Sequence, residues 1–333
     1  MDSQVKKPLL QRLRPNFIWI IFVTIAWYVF IAGFSRVGWM IMDNFIADSV
    51  SPAMMFTLEN YASTILDIIT LWLLTYIFTQ NRYIWKSFLL PRRGDADDDE
   101  PELLADDDIR ADFYGRSRNS WGMLGKGIAI GFIMNFACIV MALFHGDIKL
   151  YYDFALSGIP MMIFALVCVT IQSSAEELWC RGFMYERLHE RYPLWFVILL
   201  NGSFFGILHI ANPGATVFAI VDIIICGVAF SLLRWYSGSI WIAMGVHAGW
   251  NFTQNYLFGL PNSGLVSEVS LFHLDASVAK SSLIYDVAFG VEGGVPAVAA
   301  DALLGIVCLI LAARAGRLWE LGKNYSQTQE ILG

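Results

Sequence analysis

Three short stretches of this 333-residue chain gather side chains that can exchange protons or hold charge. "SSAEELWCRG" carries Glu176, Glu177 and Arg181, "FGILH" ends in His209, and "HAGWN" runs from His247 to Asn251. Each lies in or directly beside an apolar run, such as "MMIFALVCVT" ahead of the glutamates. Ionisable groups at membrane depth cost several kcal/mol unless they face other helices or water, so they mark function before packing. Asp67, Lys126 and Asp222 belong to the same class, with Asn135 as an uncharged companion. Asp67 and Lys126 read as partners of neighbouring helices, and Asp222 as support for a histidine.

Spacing sorts these residues. Glu176 lies 17 residues before Pro193 and His209 lies 16 after it, so both sit about 25 Å from the turn at "RYPL" and level with each other. Asp222, His247 and Asn251 stand 15, 10 and 14 residues from Ser237 in the turn "YSGS", within about 15 to 22 Å of it. All can share one layer of a helix bundle, open to cytosolic water. His247 and Asn251 are i,i+4 and share a face, whereas Glu176 and Glu177 diverge by about 100°. Glu177 and Arg181 are i,i+4 in the order that favours an ion pair, which leaves Glu176 as the acid for chemistry.

The elements holding this layer must be helices in lipid. The chain is 57% hydrophobic and 15% charged, with a mean hydropathy of +0.55. Apolar runs recur at 17–34, 61–79, 121–144, 154–175, 194–211, 215–233, 239–258 and 296–313. Helices of about 20 such residues satisfy their own backbone across about 30 Å of hydrocarbon, so the expected fold is an all-α membrane protein of about eight spans with a cavity inside the bundle. With both termini in the cytoplasm, 18 of the 22 Lys and Arg residues fall inside, as the positive-inside tendency requires. "MDSQVKKPLLQRLRPN" reads as the start of a signal anchor rather than a cleaved leader.

The domain reading is one membrane unit, 17–313, between a cytoplasmic N-terminal tail (1–16) and C-terminal tail (314–333). A cytoplasmic loop at 81–120 holds ten of the 29 acids within 95–112 and accounts for much of the formal charge of −7; its composition predicts disorder. "DADDDE" has Glu100 where a calcium loop needs glycine, so a solvated loop is the better reading. The outer loop 259–290 mixes apolar and turn residues and is expected at the membrane surface, with His273 an exposed polar residue. His145 and His189 fall at span ends and are expected at the interface. The five cysteines form no CxxC pair and read as packing residues.

Taken together, "EELWCR", "FGILH" and "HAGWN" resemble the EExxxR, FxxxH and HxxxN motifs of the CAAX protease and bacteriocin-processing family of intramembrane endopeptidases, also called the ABI family. "GSIW" at 238–241 is similar to the short motif that leads into the family's last histidine helix. The resemblance covers 160–255, inside a core of about 154–258. It implies a protease in which Glu176 activates water, His209 helps hold it, and His247 with Asn251 stabilises the oxyanion. Glu177, Arg181 and Phe205 occupy supporting motif positions. A desolvated carboxylate is a stronger base, and preorganised donors stabilise developing charge.

Two catalytic chemistries remain open at this point. One is metal-free, which the asparagine and the lack of an HExxH helix favour; the other is a zinc site of Glu176, His209 and His247. The expected partners are the lipid bilayer and a membrane-associated protein or peptide, prenylated or bacteriocin-like, with no nucleic acid. The expected location is a bacterial plasma membrane. A non-catalytic scaffold or immunity protein using the same cavity is the alternative, and a proton-coupled transporter ranks last because no discontinuous half-helices are evident.

Overall fold

Proline, glycine and hydroxyl residues punctuate the apolar runs and set where each helix begins and ends. The computed structural model describes residues 118–267 and 269–324, with a few single positions elsewhere. The expected spans 17–34 and 61–79, Asp67, the N-terminal tail and the acidic stretch 95–112 lie outside the described residues. Helix α1 is Trp121–His145; the Ser120 hydroxyl accepts the Met123 N–H at its start, and Gly146 closes it in the left-handed region. A short strand β1, Leu150–Tyr152, follows. A 3-10 turn at Leu156–Gly158 leads into α2, Ile159–Glu177, which passes into a π-helical segment, Leu178–Met184, and then α3, Tyr185–His189. Pro193, in extended conformation, precedes α4, Leu194–Leu208. Thr216 caps α5, Val217–Ser237, which ends on left-handed Gly238. Helix α6, Ile240–Phe252, continues as a second π-helical segment, Thr253–Leu257. Strand β2, Phe272–Leu274, pairs antiparallel with β1, and α7, Val295–Arg314, completes the bundle.

The fold is mostly helical, and the two-stranded sheet is a departure from a purely α reading. It arises because the loop 259–290 doubles back on the strand after α1, placing Tyr151 over the ring of half-buried His273 at 5.5 Å. Among the described residues four helices are long and apolar enough to cross a membrane: Trp121–His145, Leu156–His189, Val217–Ser237 and Val295–Arg314. The other two runs expected as spans here give the shorter α4 and the largely buried α6. Leu156–His189 spans 34 residues, about 51 Å of helix, and so outreaches the hydrocarbon layer unless strongly tilted. Large apolar side chains such as Ile133, Phe164, Val167, Leu199 and Ile306 are exposed on the bundle's outside, as a lipid solvent allows.

Helix α6 is the hub, packing against α1, α2 and α5, while α5 also packs on α4 and α7. The α1–α6 contact is backbone to backbone. A Cβ on Gly127 or Gly131 would collide with the carbonyls of Ile242 or Val246, and a Cβ on Gly245 or Gly249 with those of Leu124 or Ile128. Small residues four apart on both helices allow the close approach that lipid-embedded helices use for cohesion. Buried Asn135 of α1 adds a hydrogen bond to Gln254 Oε1 at 2.7 Å. Among the described residues Lys126 has no partner on a neighbouring helix; it is exposed near the start of α1, where its long stem can carry the ammonium to the interface.

The chain end also packs. The Lys323 carbonyl accepts the Leu194 N–H at 3.0 Å and lies 3.3 Å from His189 Nε2, so His189 is buried beneath the tail instead of lying at the interface. All five cysteines are free.

Candidate active site

Helix α2 ends on the two glutamates, and the roughly 100° between them places them in different surroundings. Glu177 is fully buried. Its Oε1 accepts Arg181 Nη1 at 3.1 Å and lies 3.0 Å from His247 Nδ1. Arg181, also fully buried, donates through Nη2 to the Gly227 carbonyl at 3.0 Å and lies against the Phe205 ring at 4.3 Å. A side chain at position 227 would press on that guanidinium and on Gly202, so the slot requires glycine. A buried charge pair is tolerated only with such geometry and added hydrogen bonds.

Glu176 is the more open of the two, its side chain 32% exposed. Its Oε1 accepts the Gln172 amide. Its Oε2 is itself buried, has no hydrogen-bond partner among the described residues and faces His247 Nε2 across 3.8 Å. His247 therefore lies between the two carboxylates, one ring nitrogen toward each. A carboxylate only accepts, so Nδ1 carries a proton toward Glu177.

His209 follows the last residue of α4. Its Nδ1 lies 2.9 Å from the Phe205 carbonyl, which can only accept, so the neutral ring has its proton on Nδ1 and its lone pair on Nε2. Phe205 joins the two histidines: its ring centroid is 4.8 Å from that of His209 and 5.9 Å from that of His247. Phe230 reaches His247 at 5.9 Å from the other side. Asn251 Nδ2 points at Ser173 Oγ of α2 at 3.4 Å, and its Oδ1 accepts Asn262 Nδ2 at 3.2 Å. Glu176, Glu177, Arg181, Phe205 and His247 thus form one contiguous group, His209 adjoins it through Phe205, and Asn251 borders it through Ser173.

Asp222 stands apart. It is buried on α5, and no hydrogen bond joins it to either histidine among the described residues. No group of three or more His, Cys, Asp or Glu among the described residues is placed to hold an ion.

Several neighbours escaped sequence reasoning. Glu292, in the 3-10 turn Val291–Gly293 before α7, accepts Trp250 Nε1 at 3.0 Å and Asn262 Nδ2 at 2.9 Å on Oε1, and Ser263 N and Oγ at 2.6 and 2.8 Å on Oε2. Burial pushes its carboxyl up, and the donors from Ser263 and Trp250 pull it back. The only signal in the sequence is an acid just ahead of an apolar run. Asn201 of α4 donates to the Cys180 carbonyl inside the first π-helical segment, a carbonyl that also accepts the Tyr185 N–H. Both π-helical segments begin beside motif residues, one directly after Glu177 and the other two residues after Asn251.

Residues 154–253 match the family model "Type II CAAX prenyl endopeptidase Rce1-like". The chain is also similar to the uncharacterized protein YyaK of Bacillus subtilis (strain 168), 32% identical over 142 residues, which is 40% of this chain and 47% of the relative. The chain thus spans about half the length of that curated relative. No solved structure matches. The stretch carrying Glu176, His209, His247 and Asn251 is therefore similar to the Rce1-like type II CAAX prenyl endopeptidases, a likeness confined to residues 154–253.

Proposed function

We propose that this protein is an intramembrane endopeptidase in which Glu176 activates water against a peptide bond of a membrane-associated substrate. The observation that carries this reading is the unpartnered Glu176 Oε2, held opposite His247 Nε2 on a partly open side chain, while the adjacent Glu177 is fully buried with its Oε1 taken by Arg181 and His247. A water within hydrogen-bond reach of both atoms, about 2.8 Å from each, fits a 3.8 Å separation. Glu176 takes its proton as the oxygen attacks the carbonyl carbon, and His209 Nε2 serves as the second acceptor that orients it. The oxyanion accepts from Asn251 Nδ2–H. When His247 carries both protons, Nδ1–H stays on Glu177 and Nε2–H is free for the same oxyanion. Glu176 then returns its proton to the departing amine. Arg181 and Phe205 act by holding Glu177 and the two rings.

This chemistry needs no metal. Activity is expected to survive 1,10-phenanthroline, with no stoichiometric zinc in the purified protein; loss of activity restored by added zinc would overturn the metal-free route. The distribution of Lys and Arg supports a site open to the cytoplasmic side of an eight-span protein with both ends inside, and the relative from Bacillus supports a bacterial membrane.

The test compares wild type and Glu176→Gln in liposomes on quenched membrane peptides, with and without a farnesylated C-terminal cysteine. Cleavage is expected to fall by about 100-fold or more in the variant, with the fold retained. Equal cleavage by both proteins would remove Glu176 from the chemistry. Survival of the cellular phenotype after replacement of Glu176, His209 and Asn251 would point to a scaffold.

A further inference from the structure

We infer that Glu292 is a positioning residue which, through Asn262, sets the direction of the Asn251 amide and so presents its N–H to the oxyanion. The inference rests on the endopeptidase reading and lies outside residues 154–253, where the family match ends.

An asparagine side chain is nearly symmetric in shape and opposite in polarity at its two ends. A flipped Asn251 would offer a carbonyl oxygen to the developing negative charge and raise the barrier it should lower. Something must therefore specify its orientation, and the structure supplies a chain of donors and acceptors that can run in one direction only. Glu292 has only 8% of its surface exposed, and all four groups around its oxygens are donors: Trp250 Nε1–H, Asn262 Nδ2–H, Ser263 N–H and Ser263 Oγ–H. Such a shell suits the ionised carboxylate, which accepts and never donates. Asn262 must turn its NH2 group toward it, 2.9 Å from Oε1. The same NH2 group reaches Asn251 Oδ1 at 3.2 Å. The Asn251 carbonyl is thereby occupied, and its own NH2 is left on the side of Ser173, one turn before Glu176. The polarity is dictated by chemistry and not by the choice of which amide atom is oxygen.

The loop carrying Asn262 is built for this task. Ser263 holds φ +46, a left-handed conformation uncommon for a residue with a Cβ, and both its backbone N–H and its hydroxyl are tied to Glu292. Its carbonyl accepts Asn212 Nδ2 at 3.1 Å, from the loop that follows His209. Gly264, at φ +87, leaves no room for a side chain against the Pro213 carbonyl. One carboxylate thus holds a strained turn between the His209 loop and the Asn251 helix.

The full chain in detergent is labelled with 15N-asparagine, and the side-chain amides of Asn251, Asn262 and Asn201 are assigned by substitution. In Glu292→Gln, which introduces a donor where only acceptors stood, the signals of Asn262 and Asn251 should both shift while that of buried Asn201 stays. Asn262→Ala, which removes only the middle link, should move Asn251 as well and decides the matter if Glu292→Gln does not fold. An unmoved Asn251 signal in the folded variant overturns the inference whatever the activity.

On a farnesylated quenched peptide, Glu292→Gln should lower kcat about tenfold with KM within about twofold. In an Asn251→Ala background the same change should have no further effect. Additive losses would mean that Glu292 acts on the fold alone. A wild-type protein that leaves the peptide uncut would count against the peptidase reading, while the amide shifts still decide the orientation.

Discussion

Two carboxylates anchor this molecule's polar interior in opposite ways. Glu177 is held by charge: Arg181 and His247 share one of its oxygens, Oε2 is left without a partner, and so is Arg181 Nε. Glu292 is held by neutral donors, two on each oxygen, with nothing left over. The first arrangement concentrates charge beside Glu176. The second stores no net pairing of charge and specifies direction. The comparison teaches that fixing a base and fixing an amide are different problems. A base needs its neighbours' charges arranged, whereas an amide needs its polarity assigned.

The largest effect that would sharpen this contrast is at Arg181. Arg181→Met leaves Glu177 buried and uncompensated and should cost about 3–5 kcal/mol of stability. The double change Arg181→Met with Glu177→Gln should recover much of that loss, as read by thermal unfolding in detergent. If the single variant unfolds like wild type, Glu177 is not held by charge and the contrast fails. Ser263→Ala removes one of four neutral donors and should cost only about 1 kcal/mol, with kcat nearly kept, because three donors remain to orient Glu292. A loss as large as that at Arg181 would break the distinction from the other side.

The smallest effect concerns Asp147, outside the spans, which mixes both modes. Burial acts to raise its carboxyl, but the Ser282 hydroxyl at 2.6 Å and His145 at 2.9 Å hold it below the usual aspartate range. Its folded-state value is depressed, so its stabilisation is present above about pH 4 and fades as pH falls through the lowered value. Asp147→Asn should lower stability at neutral pH and flatten the acid side of the stability curve, so that the difference from wild type shrinks as pH falls. An unaltered acid limb would show that the pair does not contribute.

Much of the helical layout was legible because apolar runs and their punctuation are local signals. Pro193 and Gly238 stand at the turns inferred from "RYPL" and "YSGS", and the i,i+4 spacing of Glu177 and Arg181 foreshadowed their 3.1 Å pair. The divergence of Glu176 from Glu177 was likewise readable from helical geometry. Other features depend on relations no local pattern carries. The π-helical segments have no distinctive residue signature. The α1–α6 glycine contact needs two helices whose facing sides are unknown until they pack. The Glu292 shell joins residues up to 42 positions apart, so an acid in an outer loop gave no hint of its target. Asp222 failed as a histidine partner for the same reason: depth along a helix does not reveal the direction a side chain faces.

The glycine contact between α1 and α6 bears on how this helical unit could be moved between proteins. Helix α6 carries His247 and Asn251, yet the surface it presses against belongs to Gly127 and Gly131, ahead of the matched stretch. A chimera that grafts residues 154–253 onto another scaffold would inherit the motifs and lose the wall against which α6 packs. The portable module begins at α1, and any graft must bring along a partner helix equally free of side chains along that seam.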